Sequence, residues 1–142
     1  MGLDMYLHKR TWIGVEARER LTMNGLPDTV EPSKVTYVIE DAGCWRKANA
    51  IHRWFVDNIQ NGNDDCGLYE VRREQLQALL RSVDTVLAHP DMAARLLPTQ
   101  EGFFFGSTEY DEDYVDDLKE TRQIVTEALA DEEADFEYTS SW

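Results

Sequence analysis

Residues 43–57 read GCWRKANAIHRWFVD, and the rest of the fold is predicted around them. On a helix, six side chains of this segment recur at i, i+3, i+4 and i+7 and share one face: Trp45, Ala48, Asn49, His52, Phe55 and Val56. The spacing predicts a helix over 45–59 whose apolar face packs on the core. Burying the amide and the imidazole without partners would cost about 1–3 kcal/mol each. These groups therefore either bond to a neighbouring strand or line a pocket.

The composition describes an acidic globular protein. The chain has 142 residues and a formal net charge of −14, whereas small domains usually carry a net charge of roughly 2–8 in magnitude. The length fits one domain over residues 1–142 with its own core. Nucleic acid and anionic membranes are excluded as partners, because no basic surplus can displace their counterions. A basic protein, or a basic groove that normally holds nucleic acid, is the expected partner.

The negative charge is concentrated near the C-terminal end. Residues 1–100 contain 14 acidic and 12 basic side chains, a net charge of −2. Residues 101–142 contain 14 acidic side chains against Lys119 and Arg122, a net charge of −12. The acidic C-terminal third is therefore the part of the chain most suited to meet a basic partner.

Cysteine and histidine content give no sign of a metal, a cofactor or a disulfide framework. The two cysteines are Cys44 and Cys66, and the three histidines, His8, His52 and His89, are scattered. A zinc site would need several such ligands at short spacing. No apolar run has the length of a membrane span or the form of a signal peptide, so we expect a cytoplasmic protein without metal or cofactor.

Periodicity predicts an α+β fold: a single domain with a mixed, mostly antiparallel sheet of about five strands and three main helices on one face. A long surface loop is predicted over 16–34, where turn residues interrupt the pattern. Three consecutive phenylalanines predict a central strand that is buried on both faces. The predicted strands are 3–8, 35–40, 67–71, 102–106 and 135–140, and the predicted helices are 45–59, 73–88 and 109–130.

The last predicted helix carries a row of carboxylates opposite its Tyr114/Leu118 seam. Ser107 or Thr108 is the predicted cap of this helix. Carboxylates on one helical face recur about every 5–6 Å, which is the scale of phosphate spacing along a nucleic-acid strand. The face could therefore occupy a basic groove as a nucleic-acid mimic, or it could be an ordinary solvated surface. Its four acidic residues are Asp113, Asp116, Asp117 and Glu120.

Three segments resemble a family of small, mostly uncharacterised proteins of bacteriophages, prophages and bacteria. They are MGLDMY at 1–6, WRKANAIH at 45–52 and LPTQEGFFFG at 97–106, and the ending FEYTSSW at 136–142 is also similar. The resemblance covers most of the chain outside 16–34. Some members carry a phosphoglycerate-kinase label, which does not fit this chain, since it is too short for that two-domain enzyme and has no glycine-rich phosphate loop.

Two functional hypotheses follow. The first is a non-enzymatic acidic interaction protein of phage or mobile-element type, an inhibitor or nucleic-acid mimic that acts on a basic host or defence protein, such as an anti-CRISPR or anti-restriction protein. The second is a small-ligand-binding protein or small enzyme, because an arginine near a helix start favours an anion. Its predicted pocket is formed by Tyr6, Trp45, Arg46, Asn49 and His52.

Overall fold

The computed structural model describes residues 2–21 and 25–142. Two predicted features fall partly outside them: residues 22–24 of the surface loop and Met1 of the first motif. The strands are β1 (Asp4–Trp12), β2 (Tyr37–Arg46), β3 (Tyr69–Val71) and β4 (Asp135–Ser141). The helices are α1 (Val15–Arg20), α2 (Asn49–Asn58), α3 (Arg73–Ala88), α4 (Ala93–Leu96) and α5 (Glu112–Leu129), with 3-10 turns at Pro32–Lys34 and Pro90–Met92.

The strands form one antiparallel sheet in the order β2-β1-β4-β3. β1 lies in the middle and pairs with both β2 and β4, so that Met5 faces Trp45 on one side and Ser140 on the other. This architecture confirms the α+β prediction. The sheet has four strands among the described residues rather than the predicted five. β2 also continues to Arg46, beyond the predicted end at residue 40.

One face of the sheet carries the core. Met5 and Leu7 of β1 and Phe136 and Tyr138 of β4 are buried, whereas the residues between them are partly exposed. Helices α2, α3 and α5 supply the other half of this core, and Phe55 of α2 stacks on Tyr138 with ring centroids 3.8 Å apart. The alternate residues of the strands and the apolar stripes of the helices therefore pack together in a single apolar layer.

The predicted helix over 45–59 begins too early. Trp45 and Arg46 belong to β2, and α2 begins only at Asn49. Trp45 is buried in the same core, but from the strand. Because it precedes α2 by a helical interval, its apolar side chain fits the i, i+3, i+4 pattern of that helix. Lys47 separates the two elements with φ +58°, a left-handed conformation that ends the strand.

The predicted strand over 102–106 is wrong. These residues form turns and irregular backbone; Phe103 is 84% exposed and Phe104 46% exposed, and only Phe105 is buried, at 4%. Glycines on both sides explain the error, because the Phe105 amide turns back to the Gly102 carbonyl at 3.1 Å and Gly106 has φ +89°. Turn chemistry therefore outweighs the β propensity of three aromatics.

Two smaller predictions also need correction. The surface loop over 16–34 contains part of α1 and the Pro32–Lys34 turn, so its described residues have more regular structure than expected. Helix α5 begins after Asp111, whose carboxylate accepts a hydrogen bond from the Tyr114 amide at 3.2 Å. Asp111 is thus the cap, in place of Ser107 or Thr108, because the chain between them turns before the helix starts.

Candidate interaction site

The four predicted acidic residues lie along one side of α5. They occupy positions i, i+3, i+4 and i+7. The predicted placement opposite the buried seam needs correction, because half-buried Asp117 lies directly next to that seam. Asp113, Asp116 and Glu120 are exposed and Asp117 is half-buried. We call this set the acidic stripe: Asp113, Asp116, Asp117 and Glu120.

Hydrogen bonds and a close backbone approach fix the stripe beside β2. The Trp45 indole Nε1 donates to the Thr121 hydroxyl at 2.9 Å, and that hydroxyl donates to the Asp117 carbonyl at 2.7 Å. A Cβ atom at Gly43 would overlap the Ile124 side chain, so only glycine lets α5 approach β2 this closely. The stripe therefore has a fixed position relative to the end of the strand.

A cavity of about 330 Å³ lies between the start of α5, the β2–α2 connection and the loop before α5. Its size is at the lower end of the range for small-molecule sites, and it is partly open to solvent. We call it the acidic cavity. Its lining residues are Arg46, Lys47, Asn49, Ala50, Thr99, Gly106, Ser107, Glu109, Asp111, Asp113, Tyr114, Asp116 and Asp117.

Carboxylates outnumber basic groups around the acidic cavity by five to two. The Arg46 guanidinium pairs with Asp4 at 3.8 Å, and Asp4 does not line the cavity. In the described part of the chain, the one basic group within 4.0 Å of a stripe carboxylate is Lys119, 3.6 Å from Asp116. Both side chains of that pair are largely exposed, so it offsets little of the charge.

Asp117, one of the cavity carboxylates, has a strongly raised pKa. Burial, followed by the neighbouring charges of Glu120, Asp113, Asp116 and Asp111, raises the pKa of Asp117 to about 7. Burial and the neighbouring carboxylates both favour the protonated form of this carboxyl. A cation that entered the cavity would lower this pKa and be attracted by the same field.

Asn49, a residue of the predicted pocket, fastens the loop before α5. Its Nδ2 donates to the carbonyls of Phe105 at 3.1 Å and Ser107 at 2.9 Å, and its Oδ1 accepts from the Gln100 amide at 3.0 Å. Three of the hydrogen bonds that an amide can make are therefore internal. Asn49 lies at the edge of the acidic cavity, and its polar atoms are already in use.

His52 is fully buried and has a partner for each ring nitrogen. Nδ1 lies 2.7 Å from the Tyr138 hydroxyl, and Nε2 lies 3.0 Å from both carboxylate oxygens of Asp64. Asp64 also accepts from the Trp142 indole at 3.0 Å. Burial raises the pKa of Tyr138 well above its usual range, so the hydroxyl keeps its proton. The Asp64–His52–Tyr138 chain ties α2 to β4; His52 and Tyr138 are fully buried, and only the Asp64 carboxylate is partly exposed.

The structure does not bring the predicted pocket residues together. Tyr6 lies opposite Cys44 and Thr139 on the face of the sheet away from the helices, 6.3 Å from the His8 ring. Trp45 and His52 belong to the core. Arg46 and Asn49 line the acidic cavity, and the other three predicted residues do not.

Sequence reasoning missed the rest of the cavity. Lys47, Glu109 and Asp111 line it, yet they come from two separate segments, the β2–α2 connection and the loop before α5, and no helical or strand spacing connects those segments. It also missed Asp64 as the partner of His52, because a loop carboxylate twelve residues away carries no periodic signal. Gly102 and Gly106 did carry a signal, since glycines around an aromatic run indicate turns.

The chain has no match among protein-family profiles, curated proteins or solved structures. The resemblance to phage and bacterial proteins therefore stays a prediction. In the part of the chain that the structure describes, no helix combines the length and apolarity needed to cross a bilayer. Within the same residues, no group of three or more His, Cys, Asp or Glu side chains could hold a metal ion.

Proposed function

We propose that this chain is a non-enzymatic interaction protein that binds a basic protein partner through the acidic stripe and the acidic cavity. The observation that carries the proposal is the lining of the cavity, where five carboxylates meet two basic groups and half-buried Asp117 lies among them. Burial and the neighbouring carboxylates raise the pKa of Asp117 to about 7, in keeping with this excess of negative charge. Holding such charges together destabilises a fold. A cationic side chain from a partner would reduce the repulsion between these carboxylates. Binding such a side chain is therefore the role that we propose for the cluster.

A lysine or arginine of the partner fits the acidic cavity in size and charge. The space of about 330 Å³ exceeds what one such side chain needs. Its contacts would be charge-assisted hydrogen bonds to carboxylates, which are stronger than neutral ones. The net charge of −12 over residues 101–142 would speed the encounter by long-range attraction.

The partner that we propose is a nucleic-acid-binding host or defence protein. Successive stripe carboxylates recur every ~5–6 Å along α5, close to the spacing of phosphates, so a groove built for a nucleic-acid strand would accept them. Together with the resemblance to phage proteins, this favours an inhibitor or nucleic-acid mimic of anti-CRISPR or anti-restriction type. The small-ligand hypothesis is less favoured, because only Arg46 and Asn49 of its five residues adjoin the cavity.

The test uses a polar basic peptide composed of Lys, Arg, Ser and Gln. The stripe variant is D113N/D116N/D117N/E120Q. The control variant, E16Q/E19Q/E70Q/D84N, removes four charges from α1, β3 and α3, outside the cavity lining. We expect the stripe variant to associate more slowly and with a flatter dependence on ionic strength, because steering depends on the local field. Equal effects of the two variants on rate and salt slope would contradict the proposal.

A further inference from the structure

The loop between α4 and α5 presents two aromatic rings to solvent. Phe103 and Phe104 contact each other edge to face, with centroids 4.4 Å apart, and both are exposed while the adjacent Phe105 is buried. We call the pair the diphenylalanine tip. Two adjacent exposed phenylalanines are unusual on an acidic, polar surface, where single exposed apolar side chains are the norm.

The tip is held in place by hydrogen bonds behind it. The three hydrogen bonds of Asn49 fix the backbone at 100, 105 and 107. The Leu3 amide donates to the Phe104 carbonyl at 3.3 Å. The buried Phe105 ring packs edge-on against His52, with centroids 5.5 Å apart, and anchors the loop in the core.

The backbone of Phe104 is strained. Its φ of +66° lies in the left-handed region, which a bulky side chain rarely adopts. A conformation of this kind persists only where surrounding contacts impose it, and it is frequent at binding sites. The hydrogen bonds behind the tip hold this backbone conformation, so the loop backbone has little conformational entropy to lose when a partner covers the rings.

The tip and the acidic cavity form one continuous surface. Gly106 and Ser107 line both the cavity and the open hollow beside Phe103. Glu101 and Thr108 also line the hollow, and Glu109 lines the cavity. An apolar centre with a charged border is the usual anatomy of a protein interface, and aromatic side chains are enriched at its centre.

We propose that the diphenylalanine tip is the apolar anchor of the interface that the acidic stripe forms, and that it binds an apolar surface bordered by Lys and Arg side chains on the partner protein. This inference rests on the proposed function and adds to it the chemistry of the partner surface. Charge decides between partners: Glu101 lines the hollow beside Phe103, and in the adjoining cavity carboxylates outnumber the basic groups Arg46 and Lys47 by five to two. The net negative field attracts a basic border and repels anionic lipid headgroups.

The test compares two peptides of equal charge. One is the polar basic peptide, and the other is an amphipathic basic peptide in which Leu replaces the uncharged residues along one helical face. The tip variant is F103S/F104N, with Asn at the left-handed position because it tolerates that conformation. Leu68→Ser is the control, since Leu68 is an exposed apolar residue outside the loop and the cavity lining. Neutral phosphatidylcholine vesicles are a third probe.

We expect the wild type to bind the amphipathic peptide about tenfold more tightly than the polar one. The tip variant should lose this preference and Leu68→Ser should keep it, with both melting near the wild type. If the tip variant keeps the preference while the stripe variant loses peptide binding, the proposed function stands and this inference is wrong. Binding to neutral vesicles through the tip without any peptide preference would also overturn the inference. Failure of the stripe variant to weaken either peptide would instead reject the proposed function.

Discussion

At the scale of single residues, Asp117 is a half-buried carboxyl whose ionised form lowers the stability of the fold. Its backbone carbonyl accepts from the Thr121 hydroxyl within α5, while its side chain lies among four other acidic residues. The raised pKa has a defined consequence for stability. The folded state holds a proton on Asp117 up to a pH of about 7, whereas an unfolded aspartate releases it near 3.8. This contribution is fully present below 3.8 and is lost as the pH rises through 7.

Asp117→Asn should therefore stabilise the protein more at pH 8 than at pH 4. Asn cannot ionise, so the variant avoids the cost of a charged carboxylate at this half-buried position. Its gain in the free energy of unfolding over the wild type should grow between pH 3.8 and about 7 and level off above that pH. Because Asp117 is only partly buried, we expect a gain of about 1 kcal/mol at most in the free energy of unfolding. Urea unfolding at several pH values measures this difference. Asp84→Asn, on an exposed part of α3, is the control and should show no such growth.

His52 gives the opposite case, a polar residue that the core depends on. His52→Gln should lower the free energy of unfolding by about 1–3 kcal/mol, because the Tyr138 hydroxyl or Asp64 loses a buried partner. The polar basic peptide should still bind to the folded variant with unchanged affinity. Thermal melting and peptide titration measure the two effects. Peptide binding that disappears in a variant of normal stability would move the binding site to His52.

At the scale of elements, the loop between α4 and α5 contains three consecutive phenylalanines, of which the first two are exposed and the third is buried. Phe105 enters the core beside His52 and contacts Trp142, while the two preceding residues, Phe103 and Phe104, are exposed to solvent. The turn from Gly102 to Phe105 produces this division, and the bonds of Asn49 maintain it. A strand would instead have placed Phe103 and Phe105 on one face and Phe104 on the other.

Truncation of neighbouring phenylalanines should therefore give unequal results. Phe105→Ala should cost about 3–5 kcal/mol, the usual range for a large aromatic removed from a core. Phe103→Ala should change the free energy of unfolding by less than about 0.5 kcal/mol, as expected at an exposed position. Chemical denaturation of the two variants checks both values. A similar loss for the two would indicate that Phe103 packs against the core.

At the scale of the whole molecule, the fold class could be predicted from the sequence more fully than the site. Helix α3 was predicted with its exact bounds, 73–88, because six apolar residues form one stripe that no turn residue interrupts. Trp45 was misassigned because a core-facing strand residue next to a helix repeats helical spacing. The acidic stripe lies within one helix, so periodicity could group its four residues. The acidic cavity joins three segments that only tertiary packing brings together.

The central claim is that a cation from a basic partner enters the acidic cavity beside Asp117, and proton release on binding tests it most directly. The binding enthalpy of the polar basic peptide is measured at pH 7 in buffers of different ionisation heat. Because Asp117, with a pKa of about 7, holds part of its proton there, the wild type should release a measurable fraction of a proton per bound peptide. Asp117→Asn should release none, and Asp84→Asn should match the wild type. A wild-type enthalpy that is the same in every buffer, or equal release by Asp117→Asn, would contradict the account.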